Sequence, residues 1–89
     1  MEDKCIKKYE DVEAKIIDDE TLILEPESGG FFRLNETGTE VWKNTNGKTK
    51  IKDIARKISK DFDVKENIAL KDVVNLVKQL KKNKLIKLC

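Results

Sequence analysis

Apolar residues fall along this chain in two regimes, short runs first and helical spacing afterwards. Residues 1–11 are mostly polar and read as a loose N-terminal arm. From Val12 the pattern tightens. Ala14, Ile16 and Ile17 make a short β-prone run that ends at Asp18-Asp19, a natural turn. Leu22-Ile23-Leu24 is a second run, closed by Glu25-Pro26-Glu27-Ser28-Gly29-Gly30, which turn chemistry marks as a loop. Phe31-Phe32-Arg33-Leu34 is a third. Three short strands with tight connections predict an antiparallel meander.

The period then becomes helical. Thr37 followed by Glu40 has capping-box spacing and predicts a short helix over about 38–44, with Val41 and Trp42 as its apolar members. Asn46-Gly47 reads as a turn, and Thr49 as a cap for the next helix. Ile51, Ile54, Ala55, Ile58 and Phe62 fall at i, i+3, i+4, i+7 and i+11, one amphipathic stripe. A third helix is expected over about 68–82. Its apolar residues, Ala69, Leu70, Val73, Val74, Leu76, Val77 and Leu80, make a stripe wider than one buried face needs. Asn83 fits a left-handed C-terminal cap, and Leu85, Ile86 and Leu88 a final tucked segment. The expected core includes Leu34, Trp42, Ile54, Ile58, Phe62, Val73 and Leu80. With no repeat and no composition break, residues 12–89 read as one domain. The fold class is α+β and winged-helix-like: a three-stranded antiparallel sheet followed by three helices.

Size and composition narrow the function. A chain of 89 residues buries only about 60–65% of its unfolded surface, which leaves no room for a deep catalytic cavity beside its core. There is no histidine, so neither a Ser-His nor a Cys-His pair can form, and no imidazole can bind a metal. The two cysteines, Cys5 and Cys89, form no zinc motif and are expected as reduced thiols. A clasp between the termini or an intermolecular bond is the alternative. No phosphate-binding glycine loop occurs. A net charge of +2 does not by itself argue for nucleic acid. No apolar segment reads as a signal peptide or membrane span, so the expected compartment is the cytoplasm.

One stretch is specific. Glu20-Thr21-Leu22-Ile23-Leu24-Glu25-Pro26, then Gly30-Phe31-Phe32-Arg33-Leu34-Asn35-Glu36-Thr37-Gly38 and Val41-Trp42, resembles the PqqD family, whose members show a hydrophobic strand, an aromatic pair, Leu-Asn-x-Thr/Ala-Gly/Ala and an Ile/Val-Trp. Gly47, Thr49 and Ile51, and later Asp72-Val73, Leu76, Leu80 and Leu85-Ile86, also sit where that family has its pattern. The likeness spans about residues 12–88. It departs at Lys84, where the family usually has glycine; Asn83 is expected to supply the left-handed residue one position earlier.

The resemblance implies a RiPP recognition element: a chaperone-like domain that binds the leader of a ribosomally made, post-translationally modified peptide. The leader would add as a strand to the third strand, in a groove walled by the third helix. The partner would be a modifying enzyme, either a radical-SAM enzyme or a lasso-type leader peptidase and cyclase. No catalytic residue and no cofactor are expected. The residues suit that mode, because strand addition needs an open edge and side pockets. The candidate site comprises Gly30, Phe31, Phe32, Arg33 and Leu34, with Leu70, Val73, Val74 and Val77 on one flank of the helix. Lys78 and Lys81 continue that flank and would pair with acidic leader residues. Asp72 is open between a surface charge, a loop-fixing residue and a contact from the other flank. Two other readings remain: a winged-helix DNA-binding regulator, disfavoured by the late lysines and by Asp72, and a non-catalytic scaffold subunit. The open edge and the N-terminal arm also leave room for a homodimer.

Overall fold

The computed structural model describes all 89 residues. In chain order the elements are β1 (Cys5–Lys8), β2 (Glu13–Ile17), β3 (Glu20–Leu24), β4 (Phe31–Leu34), α1 (Glu36–Lys43), β5 (Asn46–Lys50), α2 (Ile51–Asp61), α3 (Glu66–Lys82) and β6 (Ile86–Leu88). The three helices stand as expected, and β2, β3 and β4 are the predicted meander, in that order across their sheet. The fold is α+β, with a second antiparallel sheet of order β5-β1-β6.

The meander follows from its turns and its alternation. Ile17 pairs with Glu20 across the two-residue loop Asp18-Asp19. Both loop residues have positive φ, 50° and 65°, as a primed hairpin turn requires and as aspartate tolerates. On β3 and β4, Thr21, Ile23 and Leu34 point into the core. Ile23 pairs with Phe32 and Leu24 with Phe31, so the two phenylalanines lie on opposite faces. Phe32 is half-buried against the core and Phe31 is 67% exposed.

Helix α1 starts two residues before the predicted capping box. Asn35 is the N-cap, its side-chain oxygen accepting from the Gly38 N–H at 2.9 Å. Thr37 therefore sits inside the helix. A Cβ on Gly38 would lie 3.1 Å from Leu34 Cβ, so glycine lets α1 lie close on β4. The buried Thr21 hydroxyl donates to that of Thr39 at 2.7 Å, tying β3 to α1.

The N-terminal segment is no loose arm. Ile6 is fully buried, and β1 is the central strand of the second sheet. Its neighbours are segments expected to be a turn (β5) and a tucked tail (β6). The helix cap expected from Thr49 is also replaced. Lys50 is the N-cap residue of α2 and its side chain makes no capping bond. Instead the Ile51 and Lys52 N–H groups donate to the Lys4 and Glu2 carbonyls at 2.8 and 3.0 Å. The N-terminus thus satisfies donors that a helix start leaves open. An ion pair between Lys52 and Asp3 at 2.9 Å joins the same segments. It holds the Asp3 carboxyl below the usual carboxylate range, first through the hydrogen bond and then through charge.

The expected reduced thiols are instead bonded to each other. Cys5 and Cys89 form a disulfide with Cα atoms 5.1 Å apart, and the Cys89 N–H donates to the Cys5 carbonyl at 3.0 Å. The bond extends the β1–β6 ladder.

Asn83 does not supply the left-handed residue after α3; its φ is −86°. Lys84 takes φ 60°. The Lys84 and Leu85 N–H groups donate to the Lys81 and Leu80 carbonyls, both at 3.0 Å, which completes a Schellman motif with lysine in the glycine position.

The core gathers Ile6, Ile23, Leu34, Val41, Trp42, the stripe Ile51, Ile54, Ala55 and Ile58 of α2, the stripe Ala69, Val73, Val77 and Leu80 of α3, and Leu85 and Ile86. Of the expected core residues only Phe62 is less than fully buried, packing on the margin.

Candidate functional site: a groove beside strand β4

Strand β4 is an edge. It pairs only with β3 and leaves its other side without a strand partner. A cavity of about 850 Å³ lies beside it, bounded by the β2–β3 turn, β4, α1 and α3. The β2–β3 turn contributes Asp18, Asp19 and Glu20. Strand β4 and the start of α1 contribute residues 32–38 and Val41. Helix α3 contributes Asp72, Val73, Leu76 and Gln79. The floor is apolar, from Phe32, Leu34, Val41, Val73 and Leu76. The rim is polar.

This geometry divides the candidate residues. Phe32, Arg33, Leu34 and Val73 line the cavity. Gly30 stands at the head of β4, its carbonyl accepting from Glu25 N–H at 2.8 Å, outside the cavity lining. Phe31 lies on the other face of the sheet. On α3 the cavity lies along the flank opposite to the expected one. At about 100° per residue, Leu70, Val74 and Val77 lie to one side of Val73, whereas Asp72, Leu76 and Gln79 lie to the other. Val77 is fully buried, and Leu70 and Val74 pack against the core. Lys78 and Lys81 are exposed and outside the cavity. The breadth of the apolar stripe is real, but core packing uses the flank with more aliphatic residues. Of the further lining residues, Gln79, Asp18, Asp19 and Glu20 had no signal as site residues. Leu76 alone, one turn from Val73 on the less apolar side, carried a hint.

The charge is also reversed from the lysine-lined expectation. Asp18, Asp19, Glu20, Glu36 and Asp72 face the cavity, against Arg33 alone. The cation in an unusual setting is Lys8, 4.7 Å from the Trp42 ring centroid, where burial pushes its amine down. It stands on β1, in the other sheet, and is structural.

An edge strand, an adjoining apolar-floored groove and a helix wall are the features that peptide docking by strand addition requires. The family model for coenzyme PQQ synthesis protein D (PqqD) matches residues 20–86. The chain belongs to the PqqD family. Three solved structures share the fold. TbiB1 in complex with the TbiA(beta) leader peptide superposes with a TM-score of 0.81 at 22% identity, covering 91% of this chain and 94% of that one. A lasso peptide synthetase B1 complexed with its leader peptide gives 0.81 at 21% identity, covering 92% and 96%. The PqqD truncation of Methylobacterium extorquens PqqCD, described as a functional, stand-alone RiPP recognition element, gives 0.75 at 18% identity, covering 92% and 87%. At these identities the likeness is one of fold. A search of curated proteins finds no significant match. No helix is long and apolar enough to cross a membrane.

Proposed function

We propose that this protein binds the leader segment of a ribosomally synthesised precursor peptide as an extra strand on β4, and presents the precursor to a modifying enzyme. The observation that carries the reading is the free β4 edge beside an apolar groove closed by α3. Backbone bonds to the edge would give affinity, and the floor of Phe32, Leu34, Val73 and Leu76 would select alternate side chains. Two proteins of this fold have structures with leader peptides, and a third is a recognition element, which supports the same use here. The partner enzyme is of the radical-SAM or lasso peptidase/cyclase kind. The domain itself makes no bonds; its contribution is proximity, since tethering raises the local concentration of the core peptide to about the millimolar range. A DNA-binding role loses ground, because the carboxylates around the groove repel phosphate. A homodimer would not form through a free N-terminal arm, since that segment is committed to its own sheet.

An extended leader loses conformational freedom on docking, which offsets part of its contact energy. Binding of roughly −8 to −9 kcal/mol, micromolar to high nanomolar, is expected. The test is a nitrogen–proton NMR titration with the leader of a precursor encoded beside this gene. Shifts should centre on residues 31–35 and on Asp72, Val73, Leu76 and Gln79. A leader that moves none of these, or moves only lysines and loses its effect at moderate salt, would refute the proposal.

A further inference from the structure

The groove carries a charge opposite to that of the chain. Five carboxylates and one guanidinium line it, an excess of four negative charges, whereas the whole molecule carries +2. The imbalance has no internal answer. The ion pairs of the molecule are Lys52 with Asp3, Arg56 with Asp53 and Glu66, and Lys84 with Glu27; none involves a groove residue. The acids also come from separate elements on opposite walls: Asp18 and Asp19 on the β2–β3 turn, Asp72 on α3. The turn lies at the Leu34 end of β4, since Leu34 pairs with Thr21 just after it, and the turn and Asp72 both line the cavity beside that strand. The one cation, Arg33, also lines a shallow depression on the outer sheet face with Asp18 and Glu20.

We infer that the groove selects an extended peptide with apolar residues at alternate positions for the floor, and with lysine or arginine where the strand passes Asp18, Asp19 and Asp72. This rests on strand addition to β4 as proposed above. A strand places successive side chains on opposite sides, so basic residues reach the rim while their neighbours fill the floor. An acidic segment in the same place would meet like charge on both walls, which discriminates against wrong partners as much as attraction favours right ones.

The test uses a phage-displayed random dodecapeptide library selected on the intact protein. Two further targets are the triple variant Asp18→Asn/Asp19→Asn/Asp72→Asn and a control with the same charge change elsewhere, Asp11→Asn/Asp61→Asn/Asp63→Asn. Asparagine tolerates the positive φ of the turn as aspartate does, so the hairpin is retained. Selected peptides are synthesised and titrated into each labelled protein at about 0.15 M salt, where screening leaves only close charges effective. Peptides that shift the β4 amides of the natural protein should be enriched in lysine and arginine. They should bind the groove variant roughly five- to tenfold more weakly, as three rim charges of modest individual worth allow, and bind the control unchanged. If β4-shifting peptides show no basic excess, or lose as much affinity on the control, the charge selection is wrong while strand addition stands. If no selected peptide perturbs β4, both fall.

Discussion

Lys84 holds a backbone conformation that costs a side-chain-bearing residue about 1 kcal/mol. It is kept because Leu85 must turn back into the core directly after α3, and the two bonds to Lys81 and Leu80 fix that turn. Lys84→Gly should therefore raise stability by about 0.5–1 kcal/mol in urea denaturation. Lys84→Ala should not, since it loses the exposed contact to Glu27 at 3.2 Å and keeps the strain. At the groove, Leu76 and Val77 are neighbours with different work. Val77 is fully buried, so Val77→Ala should cost about 2 kcal/mol of stability and leave peptide affinity per folded molecule unchanged. Leu76 is half-buried and lines the floor. Leu76→Ala should cost less stability, about 1 kcal/mol, yet weaken a β4-bound peptide roughly tenfold. Calorimetric titration beside thermal melts separates the two; equal effects on binding would mean that the groove lies on the other flank of α3.

Among the elements, the N-terminal segment and α2 depend on each other. The first turn of α2 has no side-chain cap, and its Ile51 and Lys52 N–H groups rest on the Lys4 and Glu2 carbonyls. Removing residues 1–4 should speed hydrogen exchange at Ile51 and Lys52 and leave the β4 amides as protected as before. Asp3 adds a small pH dependence. Its folded carboxyl titrates below the ordinary aspartate value, so its pairing with Lys52 is intact above that ordinary value and is lost as pH falls through the lower folded one. The meander and the three helices were legible because their signals are local: alternation, an Asp-Asp turn, a helical stripe. The second sheet was not. The segments that become β1 and β6 are only four and three residues long, and β5 holds an Asn-Gly pair that reads as a turn; each is a strand only because β1 joins the other two. The lining of the candidate groove was half legible for the same reason. The edge strand follows from the order of the runs, and Phe32, Arg33, Leu34 and Val73 follow with it. The face of α3 that lines the cavity depends on which flank the core takes up, a tertiary fact that the apolar count does not carry.

At the scale of the whole molecule, the two sheets divide the labour. The β2-β3-β4 sheet carries the groove, and the β5-β1-β6 sheet closes the chain on itself, with Cys5 and Cys89 bonded across 84 positions of sequence. Closing a loop of that length removes unfolded-state entropy worth up to about 4–5 kcal/mol. Less should appear here, because β1 and β6 already pair through Ile6, Lys7 and Lys8 and hold the ends together without the bond. Reduction, or Cys5→Ser with Cys89→Ser, should thus lower the urea midpoint clearly while the far-ultraviolet dichroism of the folded protein stays the same. Peptide affinity should change by less than about twofold, since neither cysteine lies in the sheet that holds β4 or in the groove lining. A protein that unfolds on reduction would show that β1 and β6 cannot hold the second sheet alone. A protein that keeps its stability but loses peptide binding would show instead that the two sheets are coupled, and that closing the chain sets the position of α3 against β4.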